Sequence, residues 1–91
     1  MKQTIMGLFK ALSLSTRMNM ILSLYDGEKS VNEIARLTEM EQSHVSHHLK
    51  HLTDTKIVTC RREGKTRIYS LNKGTIEPMI SLAEKHIYGA K

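Results

Sequence analysis

The 91-residue sequence predicts a mainly α fold of about five helices carrying a two-stranded β wing. Three observations lead there. Apolar residues recur at helical spacing in five separate stretches. Residues 57–71 change to strand-like runs around a glycine turn. Two of the helical stretches are short and joined by only a few residues. A chain of this length fits one domain, 1–91, and a domain this small is marginal alone, which favours a partner that extends its core.

The first helix, expected over 3–13, sets Ile5, Leu8, Phe9 and Leu12 on one face. Leu14 to Thr16 interrupts it, and Ser15 or Thr16 is suited to cap a second helix whose apolar positions are Met18, Ile21, Leu22 and Tyr25. Asp26-Gly27 ends that helix in a turn. Ser30-Val31-Asn32-Glu33 has the spacing of a capping box and opens a short helix presenting Val31, Ile34, Ala35 and Leu37. A connection through Thr38 to Glu41 leads to a longer helix with Val45, Leu49 and Leu52 as its inward stripe. Residues 30–55 therefore resemble a helix-turn-helix, whose second helix enters the DNA major groove.

After Lys56 the pattern changes. Ile57 to Cys60 and Arg67 to Leu71 read as strands, with Arg62-Glu63-Gly64-Lys65 as the turn. This hairpin must pack on the helices, because two strands are marginal by themselves. Helix-turn-helix plus hairpin, in that order, makes a winged helix-turn-helix. A last helix, expected over 74–88, carries Ile76, Met79, Ile80, Ala83 and Ile87, with Pro78 near its first turn. The domain is complete before this helix, so these residues, with Ile5, Leu8 and Phe9 of the first, are the candidate homodimer interface.

Charge is unevenly placed. Residues 26–41 hold five acids and two bases, whereas residues 44–67 hold six bases and two acids, a surplus of four in a chain whose net charge is +5. A basic region beside an acidic one suggests an oriented surface for a polyanion. On the helical wheel Ser43, Ser46, His47 and Lys50 point away from the inward stripe, with His44 and His51 on the flank and His48 near the apolar edge. Hydroxyls and imidazoles reach base edges or phosphates, and the ammonium of Lys50 binds phosphate. Arg61, Arg62, Lys65 and Arg67 cluster at the hairpin, where they add affinity and salt dependence more than sequence choice. The absence of Trp and the single Phe9 leave few stacking platforms, against a single-strand or RNA binder.

Other classes are disfavoured. A single cysteine excludes an internal disulfide, and no apolar run approaches a membrane span. With no signal-peptide pattern, a cytoplasmic protein without membrane contact is expected. No nucleophile elbow, phosphate-cradling glycine loop or histidine-carboxylate-nucleophile set appears, so an enzyme is not expected.

Several segments together carry a family signature. Leu8-Phe9-Lys10-Ala11-Leu12-Ser13, Thr16-Arg17, Glu33-Ile34-Ala35, Gln42 to Leu52 and Arg61-Arg62-Glu63-Gly64-Lys65 resemble the ArsR/SmtB, or arsenic-repressor-like, regulators. The resemblance runs from about Leu8 to Ile87. It implies a homodimer joined by the first and last helices that binds an imperfect inverted repeat in double-stranded promoter DNA, usually as a repressor. Carried onto this chain, the recognition positions are Gln42, Ser43, His44, Ser46, His47 and Lys50, with the wing from Arg62 to Arg67.

The chain departs from that pattern in places. The family often has Gly and Ser where this sequence has Glu39 and Glu41. The cysteine pair of arsenic and cadmium sensors corresponds to Ser30-Val31-Asn32, and the zinc positions of the last helix fall on Lys73, Thr75, His86 and Gly89, where only His86 could bind a metal. Neither familiar metal site is therefore expected, and no cofactor. His44, His48 and His51 share a helix side, but the outer two lie about 10 Å apart along the axis, too far for one zinc ion. Cys60, beside Arg61 and Arg62, is a candidate redox thiol, since positive neighbours favour the reactive thiolate. The competing readings are an effector-independent architectural DNA-binding protein and a winged-helix protein-interaction module.

Overall fold

The computed structural model describes residues 4–89. Its elements run α1 (Ile5–Ser13), α2 (Ser15–Ser23), β1 (Lys29–Ser30), α3 (Val31–Thr38), α4 (Gln42–Asp54), β2 (Val58–Glu63), β3 (Thr66–Leu71) and α5 (Ile76–Tyr88). The five helices and the hairpin stand where the sequence puts them. Residue 3, the expected start of the first helix, lies outside the described residues; Thr4 caps α1 by accepting from the Gly7 amide at 2.9 Å.

The sheet differs from expectation. It has three antiparallel strands in the order β1-β3-β2. The extra strand is two residues long, pairing Lys29 with Tyr69 and Ser30 with Ile68. Ser30 is also the N-cap of α3, and the capping box forms in both directions: Ser30 N–H donates to Glu33 Oε1 at 2.9 Å, and Glu33 N–H to Ser30 Oγ at 3.3 Å.

Neither Ser15 nor Thr16 caps α2. Leu14 occupies that position without a side-chain bond, and Ser15 is already helical. Met20 joins Ile21 in the interior of α2, while Leu22 and Tyr25 stay exposed, as does Leu37 of α3. The core collects Met20, Ile21, Leu24, Ile34, Val45, Leu49, Leu52, Ile57, Val58 and Leu71, so α2, α3, α4 and the root of the wing share one interior.

Two helix ends use left-handed backbone at non-glycine residues. Glu39 closes α3 at φ 57° and Lys56 follows α4 at φ 63°. The chain then reverses, Met40 N–H bonding the Ala35 carbonyl and Ile57 N–H the Leu52 carbonyl. Each thereby satisfies a carbonyl that the helix end leaves open.

Ile76 corrects the expected dimer surface. It is the first residue of α5 and is buried in the monomer core, because its amide and that of Glu77 both bond the Asn72 carbonyl and hold this turn against the body. Met79 and Ile80 are still partly buried against the core, and beyond them every residue from Ser81 to Gly89 is exposed.

Candidate nucleic-acid interface

Helix α4 divides as its wheel requires. Val45, Leu49 and Leu52 have no accessible surface, whereas Gln42, Ser43, His44, Ser46, His47 and Lys50 are exposed. No side chain caps its N-terminus, so its first amides and the positive end of its dipole are open to an anion. Among the described residues the one ion pair on the outward face, Lys50 with Asp54, spans 4.0 Å between largely exposed groups. Such a pair contributes little and leaves the lysine free to re-partner.

His48 stands apart from the other imidazoles of α4. It is half-buried, and its Nδ1, like Nε of Arg17 on α2, is buried without a partner among the described residues. Burial first, then the nearby Arg17 cation, pushes the His48 imidazole below its ordinary titration range. It belongs to the joint between α2 and α4 rather than to the outward face.

The wing sorts its arginines by strand alternation. Across the ladder Val58 faces Leu71, Cys60 faces Tyr69 and Arg62 faces Arg67, all on one side of the sheet. That side meets α4, since Cys60, Tyr69 and Arg67 line a cleft with Ser46 and Lys50. Arg62 and Arg67 are thus like charges directly opposed, an arrangement that is unfavourable until an anion joins them. Between the strands Gly64, at φ 63°, takes the first place of a two-residue loop, a geometry glycine adopts without steric cost. Lys65 completes the exposed tip.

Arg61 points the other way and is already occupied. Its guanidinium reaches Glu28 at 2.5 Å and Glu63 at 3.0 Å. These bonds, the Glu28 one foremost, hold Arg61 firmly protonated, and Arg61 in turn pulls the Glu28 carboxyl below its usual range. The sequence groups Arg61 with the other wing cations, but the fold gives it two carboxylates and sets it on the far side of the sheet. Arg62, Lys65 and Arg67 form no ion pair among the described residues. Spacing alone could not separate these cases, because Glu28 is 33 residues away.

The familiar metal positions hold little. Ser30-Val31-Asn32 brings no thiolate, and no group of three or more His, Cys, Asp or Glu side chains is gathered among the described residues.

The arrangement has known counterparts. The pattern of the bacterial regulatory proteins of the arsR family matches residues 15–59, from α2 into β2. The transcriptional activator HlyU of Vibrio cholerae serotype O1 is 33% identical over 78 residues, covering 86% of this chain and 72% of that protein. The chain belongs to the ArsR family. A second ArsR-family relative, the arsenical resistance operon repressor of Staphylococcus aureus, is 32% identical over 73 residues, 80% of this chain and 70% of that protein. Other relatives are longer, and the chain spans 58% to 65% of them. Among solved structures, the homodimeric winged helix-turn-helix DNA-binding domain of Mb0332 from Mycobacterium bovis superposes with a TM-score of 0.79 at 28% identity, covering 88% of this chain and 78% of that one. The fold is a winged helix-turn-helix, and the family consists of transcriptional regulators rather than enzymes. No helix among the described residues is long and apolar enough to cross a membrane.

Proposed function

We propose that two copies of this chain bind double-stranded promoter DNA as a sequence-specific regulator, acting as a repressor on an inverted repeat. One observation carries the reading. Ser46 and Lys50 of the outward face of α4 and Arg67 of the wing border the same cleft, with Asp54 at the end of the helix as its one acid among the described residues, while Arg61 is neutralised by Glu28 on the far side of the sheet. In this arrangement α4 enters the major groove, where Gln42, Ser43, His44, Ser46 and His47 reach base edges. Lys50 and the wing grip phosphates on either side.

The dimer places α1 and α5 of each copy together. Ile5, Phe9 and Ile87 are strongly exposed, as are Met6, Leu82 and Tyr88, which extend the expected surface. Phe9, Leu12, Met18, Met79, Ile80 and Ala83 border an almost wholly apolar cavity of about 380 Å³ between α1, α2 and α5. A contiguous apolar surface of this kind on a small domain marks an interface. The regulator works in the cytoplasm, where bacterial promoter DNA lies, and does so without the two metal sites usual in the family.

Fluorescence anisotropy against the chain's own upstream promoter and a scrambled duplex of equal length, across a salt series, tests the reading. Preference for the promoter by about a hundredfold or more is expected of a specific regulator. Equal, weak binding to both duplexes would indicate an architectural protein. Absence of binding at low salt, with charge reversal of the α4 face having no effect, would leave a protein-interaction module.

A further inference from the structure

Arg17, in the first turn of α2, is half-buried, yet no carboxylate pairs with it among the described residues. Its Nε is enclosed without a hydrogen-bond partner, and so is Nδ1 of His48 on α4. The two side chains are neighbours, because the Arg17 cation helps to hold the His48 imidazole below its ordinary range. The terminal nitrogens of the guanidinium are not among the enclosed atoms. The fork is wedged at its root and open at its tip. A half-buried cation with no anion beside it weakens the free domain, and orphaned groups of this kind call for an explanation.

The surroundings of the pair supply one. His48 meets His47 edge to face, with ring centroids 6.1 Å apart and planes at 70°. His47 is exposed and assigned to base edges, so Arg17 stands one side chain behind the reading face. Helix α2 also begins without a side-chain cap. Helical side chains lean toward the N-terminal end, so the guanidinium and the positive end of the helix dipole act on the same space. We propose that Arg17 is a backbone-phosphate anchor: the open end of its guanidinium binds a phosphate on the rim of the major groove that α4 enters. Helix α2 is then a third element of the interface, beside α4 and the wing. The phosphate oxygens accept from the two terminal nitrogens in the paired geometry that suits this side chain. The contact provides the anion that the free domain lacks, and it fixes register rather than sequence choice. This inference rests on the DNA-binding reading of α4 and adds a residue that neither the outward face of α4 nor the wing contains.

The test is anisotropy of the whole protein on the upstream promoter duplex and its scramble, across a salt series, for the parent, Arg17→Gln and Arg17→Lys, with a thermal melt of each. A dimer carries two copies of Arg17, so Arg17→Gln should make the slope of log affinity against log salt shallower by about 1.8 and weaken binding at about 50 mM salt by at least about tenfold. Both duplexes should lose alike, within about twofold, because a phosphate contact reads no bases. Arg17→Lys keeps the charge and should keep the slope. The melting temperature of Arg17→Gln should not fall, since the substitution takes an uncompensated charge out of the joint. Neutral methylphosphonates placed one at a time along the promoter locate the contact: one position in each half-site should weaken the parent by about fivefold or more and leave Arg17→Gln unaffected. An unchanged slope in Arg17→Gln, a loss that Arg17→Lys does not restore, or the absence of such a position overturns the proposal and leaves the DNA-binding reading standing. A parent that binds neither duplex at low salt overturns both.

Discussion

Replacing Arg67 by Gln and, separately, Arg61 by Gln should give opposite results in a salt titration, although both residues lie in the same hairpin. Each phosphate contact to B-DNA contributes about 0.9 to the slope of log affinity against log salt. A dimer carries two wings, so Arg67→Gln removes two contacts and makes the slope shallower by about 1.8. Between 50 and 200 mM salt, one contact accounts for a loss of about 3.5-fold and two for about 12-fold, so the variant should be less salt-sensitive than the parent by that factor. Its fold should be intact, because the substitution removes a like-charge opposition with Arg62. Arg61→Gln should leave the slope almost unchanged, since Glu28 and Glu63 already neutralise that charge. Glu28→Gln should likewise leave it nearly unchanged, because Arg61 keeps Glu63 and faces away from the cleft. Anisotropy at five or six salt concentrations, with a thermal melt of each variant, decides the matter. Equal flattening by the Arg61 and Arg67 substitutions would refute the division of the wing into a DNA side and a structural side.

Three further outcomes are expected. Glu39→Gly should stabilise the protein by about 0.5–1 kcal/mol in urea denaturation, because left-handed backbone costs a side chain about 1–2 kcal/mol and glycine returns about 0.5–1 of that to the unfolded chain; Glu39→Ala, which keeps the Cβ, should show no such gain. Ile87→Glu should raise the dimer dissociation constant at least about tenfold by sedimentation, since burying an isoleucine is worth about 1.5–3 kcal/mol for each copy. Folded His48 is held below its ordinary value of 6.5 by burial, then by Arg17 on α2 and by His47, His44 and His51 on α4. As pH falls below that value the unfolded chain takes up the proton first, so stability is lost until the folded imidazole also protonates. Denaturation midpoints between pH 7.5 and 5 should show this loss in the parent and a flatter profile in His48→Gln, above the range where Asp26, Glu28 and Glu33 titrate.

What the sequence disclosed was local. The capping box at Ser30 and Glu33, the inward stripe of α4 and the glycine turn of the hairpin each rest on residues within a few positions of one another. What it withheld was the partner across the fold. Lys29 and Ser30 carry no strand pattern of their own and become a strand only because Tyr69 and Ile68 offer a free edge. Arg61 looks like its neighbours until Glu28 is brought beside it. Ile76 fits the apolar stripe of α5, yet it lies inside the body, Met79 and Ile80 are half-buried against it, and only Ala83 and Ile87 stand exposed, a gradient set by where the helix departs. Met20 is buried in preference to Leu22, in a core shared with Ile34, Val45 and Leu49 that the short apolar pattern of α2 does not fix. The resemblance to the ArsR regulators supplied the expectation of a dimer; the exposed run from Ser81 to Gly89 is its physical counterpart in this chain.

The double duty of Ser30 has a consequence for how the domain would meet a duplex. One residue both starts α3 and pairs with the middle strand of the wing, so the wing cannot swing without dragging the first helix of the reading unit with it. The protein then behaves as a fixed caliper: the span from groove-seated helix to hairpin tip is set before contact. Whatever adjustment a site demands falls to the nucleic acid, and sites rich in easily deformed pyrimidine–purine steps beneath the wing should be favoured over stiff ones of identical contacted bases.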